Sequence, residues 1–95
     1  MLTHVVLYKL KDPSPEGLAA AKSQLESLRG RIPPLLELEV GLDVIHSARS
    51  YDIALIARLE DRAGLSIYRD HPVHQPVIAY MQAAAETSIA VDFES

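Results

Sequence analysis

The chain has 95 residues, a net charge of −4, 48% hydrophobic residues and no cysteine. This profile is typical of one folded globular domain, residues 1–95, rather than of a disordered chain. No dense cluster of lysine and arginine is present, so nucleic acid is not an expected partner, and the absence of cysteine excludes disulfides and thiolate chemistry.

Two observations concern the location of the protein. No apolar run approaches the ~20 residues that span a bilayer. The first residues, Met1–Val6, lack the basic region and the small-residue cleavage site of a signal peptide. We therefore expect a cytoplasmic protein that has no membrane partner.

The N-terminal third predicts a strand followed by a helix. Leu2 to Leu10 is rich in β-forming residues and largely apolar on both faces. Ser14 then provides a hydroxyl N-cap and Pro15 the first helical position, and apolar residues recur at helical spacing. Gly30 stands where a left-handed residue closes a helix.

The middle of the chain predicts two strands and a short helix. Leu36 to Val44 alternates apolar and polar residues, which predicts a strand with one solvated face and, at Gly41, a bulge. Tyr51 to Leu59 predicts a strand that is apolar on both sides. Asp61 is suited to cap a helix from Arg62 to Arg69.

The C-terminal part predicts a second helical stretch and a final strand, Thr87 to Phe93. Pro72 ends the short helix, and Pro72 and Pro76 bracket His74 in what we expect to be a rigid turn. The order βαββα(α)β, with right-handed crossovers, places all helices on one face of an antiparallel four-stranded sheet. The predicted fold is therefore α+β and ferredoxin-like.

Three of the four predicted strands are apolar on both faces, although the helices cover only one. The uncovered face would expose a larger apolar patch than a soluble monomer normally tolerates, formed by Val5, Leu7, Ile89, Val91 and Phe93. A second copy that packs its sheet against the first covers both patches by symmetry. We therefore predict a homodimer whose two sheets form a dimeric α+β barrel.

Histidine and tyrosine are the candidates for chemistry. His4 lies in the middle of the first strand, and Tyr68, His71 and His74 are spaced three residues apart around Pro72. A neutral imidazole accepts a proton near pH 7, and a phenol stabilises a developing oxyanion. Each residue also has a structural interpretation: His4 bonded to a backbone carbonyl, Tyr68 in the core, and His71 simply ending a helix.

Metals and cofactors are not expected. His71 and His74 have no cysteine or carboxylate partner at ligand spacing, and Asp70 is expected to point away from them. Glu37 and Glu39 are most simply the solvated face of a strand. No glycine-rich phosphate loop or dinucleotide fingerprint is present.

Short motifs along the whole chain resemble the stress-responsive A/B barrel (Dabb) family, whose fold is the dimeric α+β barrel. In order they are His4–Lys11, Ile32-Pro33 ahead of a strand ending in Val40-Gly41, Tyr51-Asp52, the Tyr-x-x-His-Pro-x-His segment from Tyr68 to His74, and Val91-Asp92-Phe93. The chain also has distant similarity to one plant member, olivetolic acid cyclase, which closes a linear polyketide by aldol condensation.

The resemblance implies site residues. Tyr68 and His74 match the cyclase's catalytic pair, and His4 matches a histidine that lines its pocket; all three are our candidate catalytic residues. Small or aliphatic residues replace its bulky pocket aromatics, so the same substrate is not expected. The further residues expected to contact a small apolar or carbonyl-containing ligand are Val6, Tyr8, Leu55, His71, Val77 and Tyr80.

Three hypotheses for function remain open at this point. The first is a small-molecule-binding protein with acid–base chemistry on a carbonyl compound, in which His4, Tyr68 and His74 converge on one pocket. The second is a non-catalytic stress or assembly protein in which these residues are structural. The third, by analogy of fold alone, is a cofactor-free monooxygenase or isomerase.

Overall fold

Four strands and three helices alternate in the computed structural model, which describes residues 1–95. The strands are β1 (Leu2–Leu10), β2 (Glu37–Leu42), β3 (Ile53–Leu59) and β4 (Ala85–Glu94), and the helices are α1 (Pro15–Glu26), α2 (Arg62–Asp70) and α3 (His74–Ala84). The sheet order is β2-β3-β1-β4, with every neighbouring pair antiparallel. The predicted ferredoxin-like fold is confirmed.

Local signals set the helix ends. The Ser14 hydroxyl accepts a hydrogen bond from the Gly17 amide at 3.2 Å, and the Asp61 carboxylate accepts one from the Gly64 amide at 2.8 Å. Both bonds satisfy amides of the first turn that have no partner inside the helix. Gly30 has a φ of 75°, the left-handed conformation expected of it, although α1 itself ends four residues earlier and turns follow.

Two predictions about local structure are wrong. The β2–β3 register continues through Gly41, which pairs with Ala54, so Gly41 forms no bulge. The register shift lies instead between Lys9 and Leu10, where β1 pairs with β4. His74 is not held in a turn between two prolines but is the first residue of α3.

Strand parity divides the sheet into a helix-covered face and an open face. Alternate residues of β3 from Ile53 to Leu59 are buried, and they pack with Leu25 and Leu28 from the α1 region. On the open face, Val5 pairs across the sheet with Ile56 and Val91. Ile89, Val91 and Phe93 there remain 48%, 56% and 47% exposed, while Val5 and Leu7 are half-buried. The predicted apolar patch is therefore present.

The edge strand β4 has little cover on either face. Nine of its ten residues are exposed, although β1 pairs along its whole length. Its end also meets the start of the chain, because the Met1 ammonium donates to the Ser95 carbonyl at 3.0 Å and the Ser95 amide donates to the Met1 carbonyl. A groove results on the helix side of β4, between this strand and α2 and α3.

None of the three helices combines the length and the apolar character that crossing a membrane requires.

Candidate active site

Three aromatic rings gather beneath the junction of α2 and α3. The centroids of the Tyr68 and His74 rings lie 4.3 Å apart, and those of His4 and Tyr68 lie 6.1 Å apart in an edge-on arrangement. Tyr68 is only 1% exposed, and His74 and His4 are half-buried. The structure thus places the three candidate catalytic residues side by side, with the phenol between the two imidazoles.

The chain reversal after α2 positions His74. Pro72 does not permit the helix to continue, and His71 adopts an extended conformation at the C-cap. His74, three residues after His71, begins α3, and its Nδ1 lies 3.0 Å from the Tyr68 carbonyl oxygen. Since a carbonyl oxygen only accepts, Nδ1 carries the hydrogen, and the neutral ring keeps its lone pair on Nε2.

The protonation states of the pair suit acid–base chemistry. Burial lowers the pKa of His74 below its ordinary value, against the opposing effect of the backbone carbonyls of Tyr68 and Arg69. Burial also raises the pKa of Tyr68 far above that of a free phenol, with a smaller contribution from Tyr8. At neutral pH the imidazole is therefore an unprotonated base and the phenol retains its proton.

The Tyr68 hydroxyl has no hydrogen-bond partner within the protein. None of the side-chain hydrogen bonds of the protein involves this oxygen, and no fully buried side-chain nitrogen or oxygen lacks a partner. The hydroxyl must therefore reach solvent-accessible space. A free donor in an otherwise buried side chain is suited to bind a carbonyl oxygen.

Asp92 is a site residue that the sequence reasoning missed. The antiparallel register places it directly opposite His4, and its carboxylate contacts the Nδ1 atom of that ring. The interpretation of His4 as a partner of a backbone carbonyl is wrong. The Val91-Asp92-Phe93 motif was visible in the sequence, but only the pairing of the first and last strands shows which side chain Asp92 meets.

The other predicted contact residues fall into two groups. Val6 and Tyr8 lie on the helix side of β1 next to His4, and Leu55, Val77 and Tyr80 belong to the core or pack against it. His71 lies outside the cluster: its Nδ1 accepts a hydrogen bond from the Val73 amide at 3.1 Å, and its ring borders a separate surface depression. The structural interpretation of His71 therefore fits its position.

Two cavities flank the cluster on the helix side of β1 and β4. The smaller, about 380 Å³, is lined by Val6, Tyr8, Ile78, Met81, Gln82, Ala85, Glu86, Thr87 and Ser88. The larger, about 520 Å³, is lined by Leu2, Arg62, Leu65, Ser66, Arg69, Asp92 and Glu94. Neither lining includes the three rings themselves. His4 lies between the two cavities along β1, because Leu2 borders one and Val6 the other.

The side chains are not arranged to hold a metal ion. No three histidine, aspartate or glutamate side chains lie close enough together to form a site. His71 and His74 each direct Nδ1 at a backbone group of their own turn.

The fold and the cluster define a class of protein: a ferredoxin-like α+β domain with a tyrosine–histidine pair at the turn between two helices. The model of the stress-responsive A/B barrel domain (Dabb) matches residues 2–95. The chain belongs to this family, as its motifs indicated. The narrower similarity to olivetolic acid cyclase stays a prediction.

Relatives of this chain include proteins without a described activity. An uncharacterised protein of Streptomyces coelicolor is 31% identical, and the match covers 99% of both chains. A dimeric ferredoxin-like protein of unknown function from Thermobifida fusca is 28% identical with a TM-score of 0.87, over 99% of this chain and 90% of that one.

Two enzymes share the fold at lower identity. A hydroxynitrile lyase from Passiflora edulis has a TM-score of 0.83 at 15% identity, over 97% of this chain and 90% of its own. An antibiotic biosynthesis monooxygenase has a TM-score of 0.75 at 18% identity, over 100% and 98%. At these identities the likeness extends to the fold alone.

Proposed function

We propose that this protein is a small-molecule enzyme that uses His74 and Tyr68 for acid–base chemistry on a carbonyl compound bound in the groove beside β4. One observation carries the proposal: a neutral imidazole with its Nδ1 hydrogen fixed on a backbone carbonyl stacks on a phenol whose hydroxyl has no protein partner. This arrangement supplies a base and a hydrogen-bond donor on two rings whose centroids are 4.3 Å apart.

The proposed reaction divides the work between the two side chains. Nε2 of His74 removes a proton from the carbon next to the carbonyl group. The electron pair of that C–H bond forms a carbon–carbon double bond, and the π electron pair of the carbonyl group moves onto its oxygen. The Tyr68 hydroxyl stabilises the resulting enolate by hydrogen bonding. The enolate carbon then takes the proton back from His74, or it forms a carbon–carbon bond with a second carbonyl carbon, as in a polyketide cyclase. In the second case the π electron pair of that carbonyl moves onto its oxygen, which takes the proton from His74.

His4 has a supporting part in this proposal. Its contact with Asp92 fixes the ring orientation, and the His4 and Tyr68 rings meet in an edge-on arrangement. Because the Asp92 carboxylate contacts Nδ1 of His4, the Nε2 atom of that ring stays available for a ligand. We assign His4 to binding and orienting the carbonyl compound next to the Tyr68 hydroxyl.

We also propose that the working unit is a homodimer joined through the open sheet face. The exposed Ile89, Val91 and Phe93 support this, as does the dimeric state of the related Thermobifida fusca protein. Light scattering at micromolar concentration should give twice the 10.4 kDa chain mass. A monomer under these conditions would contradict the proposal.

Proton exchange tests the chemistry without knowledge of the natural substrate. The protein is incubated in D₂O with a panel of small ketones and β-keto esters, and NMR follows the loss of the protons next to each carbonyl. Tyr68→Phe should slow the catalysed exchange by about 10²-fold or more, because it removes the oxyanion donor and keeps the ring. Tyr51→Phe, at the opposite end of the sheet, is the matched control and should leave the rate unchanged.

The non-catalytic hypothesis has one observation in its favour, since none of the five principal cavities includes His4, Tyr68 or His74 in its lining. The proton-exchange experiment decides between the acid–base enzyme and the non-catalytic protein. If the wild-type protein accelerates exchange for no member of the panel, or if Tyr68→Phe matches the wild-type rate, the enzyme proposal fails and the structural interpretation of the cluster stands.

A further inference from the structure

We propose that the larger cavity beside the cluster is an anion-binding subsite, in which Arg69 receives the carboxylate of a substrate that carries both an acid and a carbonyl group. This inference rests on the proposed function and narrows its substrate class to oxo acids.

The cavity has a polar wall on α2. Arg62, Ser66 and Arg69 are spaced four and three residues apart, which places them on one face of the helix, and all three line the cavity. Opposite them stand Asp92 and Glu94 of β4. Guanidinium groups and a hydroxyl on one helical face match the donor set that binds carboxylates.

The charges of this cavity are paired except at one residue. Arg62 binds Glu94 through both its Nε and its Nη2 atoms at 2.8 Å, and Asp92 contacts His4. The Arg69 side chain takes part in no ion pair or side-chain hydrogen bond; its carbonyl oxygen alone accepts a bond, from Gln75. Arg69 is thus the cation of the cavity that remains free to bind an anion.

The position of the cavity connects it to the proposed chemistry. Asp92 lines the cavity and contacts His4. Only the Asp92 side chain therefore separates a ligand bound at Arg69 from the aromatic cluster. On the other side of His4 the smaller cavity offers an apolar wall of Ile78 and Met81. A ligand with its acid at Arg69 and its carbonyl group at Tyr68 would extend an apolar tail toward that wall.

The geometry of the guanidinium group also explains why this cavity should bind a carboxylate more tightly than a neutral group. Arginine binds a carboxylate through two parallel charge-assisted hydrogen bonds, which neutral esters do not form equally well. Glu94 and Asp92 repel a bound anion only weakly, because Glu94 is paired with Arg62 and Asp92 contacts His4.

The experiment compares acids with their neutral esters. Levulinate and its longer homologues, and the methyl ester of each, are titrated into the wild-type protein and followed by NMR chemical shifts. The best acid should bind about tenfold more tightly than its ester, and this advantage should shrink as salt is added. Arg69→Gln should abolish the advantage and leave the affinity for the ester unchanged.

Arg49→Gln is the matched control, because Arg49 is exposed and unpaired in the loop at the opposite end of the sheet. It should keep the tenfold preference. Equal affinity for acid and ester, equal behaviour of the two arginine variants, or no binding by any acid of the series would each overturn the proposal.

The same ligands separate this inference from the proposed function. If an acid binds through Arg69 but Tyr68→Phe does not slow its proton exchange, the anion subsite stands and the acid–base proposal fails. If exchange depends on Tyr68 but acid and ester are equivalent, the acid–base proposal stands and the anion subsite fails.

Discussion

Replacing His74 by asparagine and by alanine separates its structural role from its chemical one. The amide nitrogen of asparagine occupies nearly the position of the imidazole Nδ1, so His74→Asn keeps a donor for the Tyr68 carbonyl and removes the basic nitrogen. His74→Ala removes both. Both variants lose the stacking of the imidazole on the Tyr68 ring.

The structure sets the expected magnitudes. An aromatic pair contributes about 1 kcal/mol beyond area burial, and a backbone-directed hydrogen bond contributes about 1 kcal/mol more. Urea denaturation should therefore show a loss of about 1 kcal/mol for His74→Asn and about 2 kcal/mol for His74→Ala. Both should lower proton exchange by about 10²-fold or more, because neither retains the base.

His46→Asn is the control for these variants. His46 lies exposed in the loop between β2 and β3 with a φ of 57°, a conformation that asparagine tolerates well. Its free energy of unfolding should change by less than about 0.5 kcal/mol. Equal destabilisation by His74→Asn and His74→Ala would mean that the Nδ1 hydrogen bond contributes nothing, and unchanged exchange would refute the role of His74 as the base.

The pH dependence of stability follows from the same histidine. Burial lowers the pKa of His74 in the folded state, so the unfolded chain binds more protons than the folded one as the pH falls. The wild-type protein should lose stability as the pH drops through about 6.5, the ordinary pKa of histidine, until the folded-state pKa is passed. His74→Asn should show a shallower decline over this range in urea titrations at each pH. An identical slope in both proteins would contradict a buried neutral imidazole.

Two further substitutions test the dimer and the core. Val91→Glu places an unpaired carboxylate in the proposed interface and should give a monomer or an unfolded chain by light scattering, whereas Val44→Glu, 80% exposed on a loop, should remain a dimer. A dimeric Val91→Glu protein would remove the open face from the interface. Leu25→Ala empties a site that is 1% exposed and should cost about 3 kcal/mol in urea denaturation; a cost below about 1 kcal/mol would show that the helices collapse onto the sheet around it.

The elements of the fold could be predicted because each has a local signal. The hydroxyl of Ser14 and the carboxylate of Asp61 mark helix starts, and the alternation predicted for Leu36 to Val44 agrees with the burial of Leu38 and Val40 in β2. Gly41 shows the limit of such signals, since a glycine within a strand permits a bulge but does not require one. The register of the neighbouring strand decides the matter, and this register is not encoded in the local sequence.

The candidate site likewise contains residues that local sequence signals predict and residues that only tertiary contacts reveal. Strand parity for His4 and helical spacing for Tyr68 were sufficient to place both in the layer beneath the helices, because these signals depend on neighbours close in sequence. His74 joins them as the first residue of α3 and not through the predicted turn between two prolines. Asp92 and Arg69 depend on contacts between elements that are far apart in the chain. Whether a charged side chain is paired or free is a property of the assembled structure, and no periodicity reveals it.

The pairing of Met1 with Ser95 has a practical consequence for anyone who handles this protein. Both ends of the chain lie beside Leu2 and Glu94, which border the larger cavity. An affinity tag or fusion partner attached at either end would begin next to residues that border that cavity, and a polyhistidine tag would bring extra imidazoles close to it. The loop around Val44 and Arg49, at the opposite end of the sheet, is therefore the better insertion point for a label.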